Sequence, residues 1–264
     1  MKLSKIAIAV GALIVSGTAA AEFSANIGAT SNYVWRGVTQ TDDSAAVSGG
    51  LDFAHESGFY LGTWASNVDF DDDTTAEVDF YGGFANELDM GLGYDVGAIY
   101  YYYPGANDDL DFAEIYANLS YTWILDFSAG VSYTVDKEDD DADTNDIYFH
   151  GGASYEIAPT WSVSGTVGYY DFDDEDAADY THYLVGVTKS AGDFGDFTFS
   201  VSVADAQSGE DSIDGDALVF VSWVNTYNKT NRIQAIPPNY GSPHYSIPIY
   251  HKTNPPNTYP QRGF

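Results

Sequence analysis

The chain contains no cysteine, which removes disulfide scaffolds, thiolate metal ligands and thiol nucleophiles together. Cations are nearly as scarce: nine Lys and Arg oppose forty Asp and Glu in 264 residues, for a net charge of −31. Between Glu22 and Asp216 only Arg36, Lys137 and Lys189 oppose all of the acids. That balance repels a phosphate backbone and argues against a nucleic-acid partner. No run of about twenty apolar residues occurs, so no segment can cross a bilayer as a helix. Proline is almost confined to the C-terminus, with seven of nine residues after Asn225.

The longest apolar stretch, Ile6 to Val15, is too short to span the hydrocarbon core. It follows Lys2 and Lys5 and precedes Ala19-Ala20-Ala21, the pattern of a secretory signal peptide over residues 1–21. With a chain this acidic, disorder would be expected if aromatics were few. They are not: 22 Tyr, 15 Phe and 5 Trp.

Those aromatics belong to segments of period two, the mark of strands. Phe127, Ala129, Val131, Tyr133 and Val135 alternate with Ser128, Gly130, Ser132 and Thr134. Trp161 to Tyr169 and Phe197 to Val203 repeat the pattern. The second face carries small polar residues rather than the long charged ones of a water-soluble sandwich. About twelve such segments are predicted, near 24–36, 44–55, 59–68, 76–87, 92–103, 112–122, 126–136, 146–156, 160–171, 179–189, 196–204 and 216–223. Connections alternate between short turns, such as Glu56-Ser57-Gly58, and longer Asp-rich loops, such as 136–146 and 171–176. The fold class read from this is all-β, an antiparallel transmembrane β-barrel of about twelve strands with short periplasmic turns and long acidic extracellular loops. Aromatics near strand ends (Tyr33, Trp35, Tyr100 to Tyr103, Tyr121, Trp123, Tyr169, Tyr170) suit interfacial girdles.

Two stretches resemble the TorF family of porins, a bacterial outer-membrane family whose members begin with a "YRGxSQ"-like pattern: Ala29 to Gln40, with Trp35-Arg36-Gly37-Val38-Thr39-Gln40, and Gly58 to Phe70. Val78 to Phe84 is a further similar piece. The resemblance runs from about Phe23 to Ser222 and implies a small outer-membrane pore, with no catalytic or ligand residues to carry over. The barrel is expected over 22–224. Residues 225–264 hold no acid, and their proline density is incompatible with a ladder. This tail reads as disordered and foreign to the barrel, either a frameshifted or read-through end or a native Pro-rich segment.

Parity places Asn26, Asn32, Arg36, Asp52, Glu77, Asp79, Asp95, Glu114, Asn118, His150 and His182 on the inward face. They would line a polar lumen that passes small hydrophilic solutes and weakly prefers cations, or they would plug a non-conducting structural or surface-interaction barrel by bonding to one another. Arg36 is expected to pair with a lumenal carboxylate. Asp69, Asp71 and Asp73 offer hard oxygens that could hold Ca²⁺ or Mg²⁺ loosely, or bridge to lipopolysaccharide phosphates, but they lack the glycine and glutamate of an EF-hand loop. No other cofactor is implied, and the expected partners are outer-membrane lipid, lipopolysaccharide and small solutes or ions. His150 and Ser154 share a face about 13 Å apart by strand rise, beyond hydrogen-bond reach. No catalytic motif appears, so no enzyme is expected. A soluble exported β-sandwich is the remaining alternative.

Overall fold

A computed structural model describes residues 21–70, 73–106, 110–137, 145–173, 177–206 and 215–228. All of the expected signal peptide but Ala21, and all of the expected tail but residues 225–228, lie outside these residues. Twelve strands form one closed antiparallel barrel: β1 (Ala21–Thr30), β4 (Ala46–His55), β5 (Phe59–Asn67), β6 (Ala76–Glu87), β7 (Leu92–Tyr102), β8 (Phe112–Thr122), β9 (Asp126–Lys137), β10 (Ile147–Ala158), β11 (Trp161–Asp171), β12 (Tyr180–Ser190), β13 (Asp196–Ala206) and β14 (Leu218–Asn228). Between β1 and β4 lies a separate small hairpin, β2 (Val34–Trp35) and β3 (Val38–Thr39).

Each strand pairs with its neighbours in sequence, and β1 closes the barrel against β14 from Ser24↔Asn228 to Thr30↔Ser222. Closure leaves no free edge in the sheet. The last strand continues to Asn228, beyond the expected limit at 223. The first is shorter than expected. It stops at Thr30 rather than near residue 36, because Arg36 and Gly37 take positive φ angles of 47° and 89°. Two successive left-handed residues make a two-residue hairpin turn whose twist suits the flanking strands, so the alternating Val34-Trp35 and Val38-Thr39 fold on themselves.

Alternation sorts the two faces of the barrel. Leu51, Phe80, Ile115, Phe149, Val185 and Val221 point outward and are exposed, an apolar belt too large to be stable facing water. Near the short-turn end, aromatics cluster around it: Phe23 meets Phe53 at 5.0 Å and Phe59 meets Phe84 at 5.0 Å. Lys189 lies 5.1 Å from the Trp161 ring. At the opposite rim, outward tyrosines donate to loop residues, Tyr100 to Asp111 (2.7 Å) and Tyr169 to Asp179 (2.9 Å). The expected girdle is only partly right. Tyr33, Tyr101, Tyr103 and Tyr170 are buried inside the barrel and Trp35 is packed against them.

Candidate functional site

Residues 31–45 turn inward from the end of β1 and cross the long-loop half of the bore. Their base is knitted by short polar contacts. The Asn32 amide donates to Asp43 Oδ1 (2.6 Å) and accepts from Thr39 Oγ1 (2.7 Å), while Thr41 Oγ1 donates to the Ser44 carbonyl (2.6 Å). Asn32 is therefore a fastener of this segment, not a strand residue facing a channel. Tyr33 packs edge-on against Trp64 at 5.6 Å and donates to Glu77 Oε1 at 2.7 Å; Tyr103 donates to Glu77 Oε2 at 2.9 Å. Burial, then the Glu77 carboxylate, hold both phenols well above their ordinary range, so both remain donors.

Trp35 joins two buried aromatic clusters. One lies on the β5–β8 wall around Trp64, Tyr81, Ile99 and Tyr101, the other on the β10–β13 wall around Tyr148, Tyr170 and Tyr180. Its ring contacts Tyr101, Phe112 and Tyr170 at 5.9, 6.3 and 6.2 Å. Beyond it, the turn reaches the wall opposite β1. The Arg36 guanidinium donates both terminal nitrogens to Glu114, at 2.8 and 2.7 Å, with side chains 3% and 2% exposed. Its carbon lies 4.2 Å from the Trp35 ring, 4.2 Å from Tyr148 and 5.1 Å from Tyr170. Planar charge against aromatic faces and a forked carboxylate suit arginine and not lysine. A register shift between Ala113 and Glu114 gives β9 one extra residue here, a device that re-aims a side chain. Gly37 is required by conformation and by space: a Cβ there would lie 2.5 Å from His182 Cβ. His182 in turn shares a 2.8 Å hydrogen bond with Tyr148.

On the short-turn side of this hairpin the bore has two unlike walls. One carries Asn26, Asp52, Tyr60, Tyr81, Asp95, Tyr116 and Asn118; Asp79 lies nearer the hairpin. Tyr60 donates to Asp95 (2.7 Å) and meets the Tyr116 hydroxyl at 2.5 Å, Asn118 donates to Asp95 (3.1 Å), and Tyr81 bonds to Asp52. The other wall is built of Ser128, Ser164, Thr166, Thr188, Thr198, Ser200 and Ser202, with His150 and His182 above them.

Register explains how twelve strands accommodate so many rings. Inward rings stand directly opposite inward glycines on the adjacent strand: Tyr81 with Gly62, Tyr60 with Gly83, Tyr116 with Gly97, His182 with Gly168. A Cβ at Gly62 would come within 2.4 Å of the Tyr81 ring, and one at Gly97 within 2.4 Å of the Tyr116 hydroxyl. These rings therefore lie along the wall, over the missing side chains, and not across the bore.

Nine of the eleven inward residues sit on strands with that orientation: Asn26, Asp52, Glu77, Asp79, Asp95, Glu114, Asn118, His150 and His182. Asn32 and Arg36 reach the interior on the folded-in segment instead. Asp71 lies outside the described residues. Asp69 and Asp73 flank it, and the Asp69 amide donates to the Gln40 carbonyl at 2.9 Å. Among the described residues no group of three His, Cys, Asp or Glu is gathered to hold a metal ion. The residues that sequence reasoning missed are Trp35, Tyr148 and Tyr170, which surround Arg36. The available signal was a glycine between alternating Val34-Trp35 and Val38-Thr39, since glycine in a two-residue connection favours a hairpin turn; the left-handed conformation of Arg36 is one its residue type rarely adopts and could not be read from sequence.

A family described as "Bacterial protein of unknown function (Gcw_chp)" matches residues 15–230. No curated protein matches the chain. Among solved structures, the KdgM porin aligns over 77% of this chain and 98% of its own, with TM-score 0.52 and 8% identity. A KdgM porin in complex with disordered oligogalacturonate aligns over 78% and 98%, with TM-score 0.51 and 7% identity. The COG4313 outer membrane channel from Pseudomonas putida F1 aligns over 81% and 97%, with TM-score 0.51 and 10% identity. At these identities the likeness is one of fold.

Proposed function

The chain belongs to the bacterial Gcw_chp family, and from its barrel and lumen we propose that it is a porin-like channel of the outer membrane for small hydrophilic solutes, weakly selective for cations. The observation that carries this reading is the wall-hugging arrangement of rings over in-register glycines. A barrel filled for stability alone gains more by interdigitating side chains across its centre. Twelve strands give a bore between the side-chain-filled eight-stranded barrels and the open porins. The apolar belt, the signal-peptide pattern and the resemblance of Ala29–Gln40 and Gly58–Phe70 to TorF porins support the membrane placement.

Selectivity follows from charge. Asp52, Asp79 and Asp95 point into the barrel on one wall, and Arg36, the one arginine among the described residues, is neutralised by Glu114. A carboxylate-lined passage attracts cations and repels anions. An anionic oligosaccharide of the kind named with the KdgM complex is therefore an unsuitable solute here. The Asp-rich connections between strands would meet lipopolysaccharide, with divalent cations bridging the two sets of anions.

A non-conducting barrel is the second reading, favoured by the hairpin that spans the outer bore between two aromatic clusters. Planar-bilayer recording of the refolded barrel separates them. Discrete conductance with a reversal potential on the cation side supports a channel; no events above background would leave the structural reading.

A further inference from the structure

The Arg36 guanidinium occupies a receptor built almost entirely from the opposite wall. Glu114 presents both carboxylate oxygens in a fork at 2.7 and 2.8 Å, and the Tyr148 and Tyr170 faces stand 4.2 and 5.1 Å from the charge. Three strands, β8, β10 and β11, supply these groups, while the cation arrives on a separate hairpin by way of Trp35, which forms another side. We propose that this cage is a binding site for solutes bearing a guanidinium group, that Arg36 is its tethered internal ligand, and that solute entry displaces the hairpin from the outer bore. The proposal rests on the channel reading for its transport consequence, but the site itself does not.

Chemistry selects the class of ligand. A hydrated Na⁺ gains little from ring faces because it would have to give up its water. A guanidinium is weakly hydrated, planar and matched to a carboxylate through two parallel N–H···O bonds. Glu114 supplies the only carboxylate bonded to Arg36 among the described residues. It therefore decides whether a cation is held, while the tyrosine faces decide which kind. Competition from a tethered ligand is set by its effective concentration, on the order of millimolar for a short flexible link and raised here by the contacts that seat Tyr33 and Trp35. In the wild type the free solute should therefore act at millimolar concentration or above, as suits a ligand that must leave again.

The test uses guanidinium chloride against sodium chloride at equal ionic strength, with folded full-length barrel in detergent micelles. By titration calorimetry, Arg36→Ala should bind guanidinium saturably, at least about ten-fold more tightly than wild type. Arg36→Ala/Glu114→Gln should not bind it. Equal binding by all three proteins overturns the proposal. Wild type alone provides a check that does not depend on variant folding. Guanidinium, and not sodium, should accelerate chymotryptic cleavage at Trp35 by about ten-fold or more, and an unchanged rate overturns the displacement step. Bilayer recording separates the two readings. Guanidinium binding without conductance in any protein sinks the channel and keeps the cage. Conductance with no guanidinium preference and no binding sinks the cage and keeps the channel.

Discussion

Replacing Glu114 by Gln keeps the shape of the Arg36 acceptor and removes its charge. Glu114 accepts two hydrogen bonds at 2.7 and 2.8 Å from a guanidinium that is almost completely buried. Removing one partner of a buried pair costs about 3–5 kcal/mol, because the remaining charge is stranded. The Gln carbonyl still accepts one N–H, which restores about 1 kcal/mol, leaving a penalty of about 2–4 kcal/mol. The ladders of the barrel do not carry this cost, since Arg36 can escape with its hairpin. It falls on the equilibrium between seated and released hairpin, shifting it by roughly 30-fold to 700-fold at 1.4 kcal/mol per decade. Trypsin reads that equilibrium directly. Between Glu22 and Asp216 its only targets are Arg36, Lys137 and Lys189, and cleavage follows the open population when reclosing is fast. Cleavage after Arg36, followed by mass spectrometry of the fragments, should accelerate at least about 30-fold in Glu114→Gln. An acceleration below about three-fold would mean that the ion pair does not hold the hairpin.

Other perturbations test separate parts of the structure. Gly37→Ala combines a φ of 89° with a Cβ 2.5 Å from that of His182; about 1–2 kcal/mol of strain, plus the clash, should release the hairpin and raise the same cleavage rate. Gly62→Val should force the Tyr81 ring off the wall at a cost of about 1–3 kcal/mol, lowering both thermal stability and single-channel conductance; unchanged conductance would deny that this ring borders the path. Asp52→Asn with Asp95→Asn should move the bilayer reversal potential toward zero, and an unmoved potential would place the selectivity elsewhere. The raised phenols of Tyr33 and Tyr103 stabilise the protein fully below their unfolded pKa of about 10, and that contribution is lost as pH rises toward their folded values. Thermal melting followed from pH 8 to 12 should hold steady and then decline above about 10, and a decline centred well below that would contradict the sign.

Strand positions were largely legible in the sequence because alternation is local. Residues 76–87 and 112–122 are strands over the limits expected. Both departures came where local pattern competes with something else. Alternation runs on past Thr30, but Arg36-Gly37 folds it back, and Val224 to Asn228 lack an apolar rhythm yet pair with β1. The inward carboxylates followed from parity. The inward tyrosines at 101, 103 and 170 did not, because strand-end position alone suggested an interfacial girdle. Across the ladder Tyr101 stands beside Asp79 and Phe112, and Tyr170 beside Tyr148 and Tyr180; these inward clusters close around Trp35, a contact set between segments far apart in the chain. The cage had the same difficulty: Arg36, Glu114, Tyr148 and Tyr170 share no sequence neighbourhood.

Chain order gives the inward hairpin a further role during assembly. It follows the first strand, whereas the surfaces that receive it lie on β8, β10, β11 and β12. Loop closure over such separations is slow and costly in entropy, so the first-synthesised part of the barrel must wait for strands made much later. Until β11 is in place, Arg36 has only part of its socket, and until β12 is in place Gly37 lacks His182 and Trp35 bridges to a cluster that is incomplete. Seating of the hairpin is therefore a late folding event, and protection of Arg36 from protease reports that the remote half of the barrel has formed.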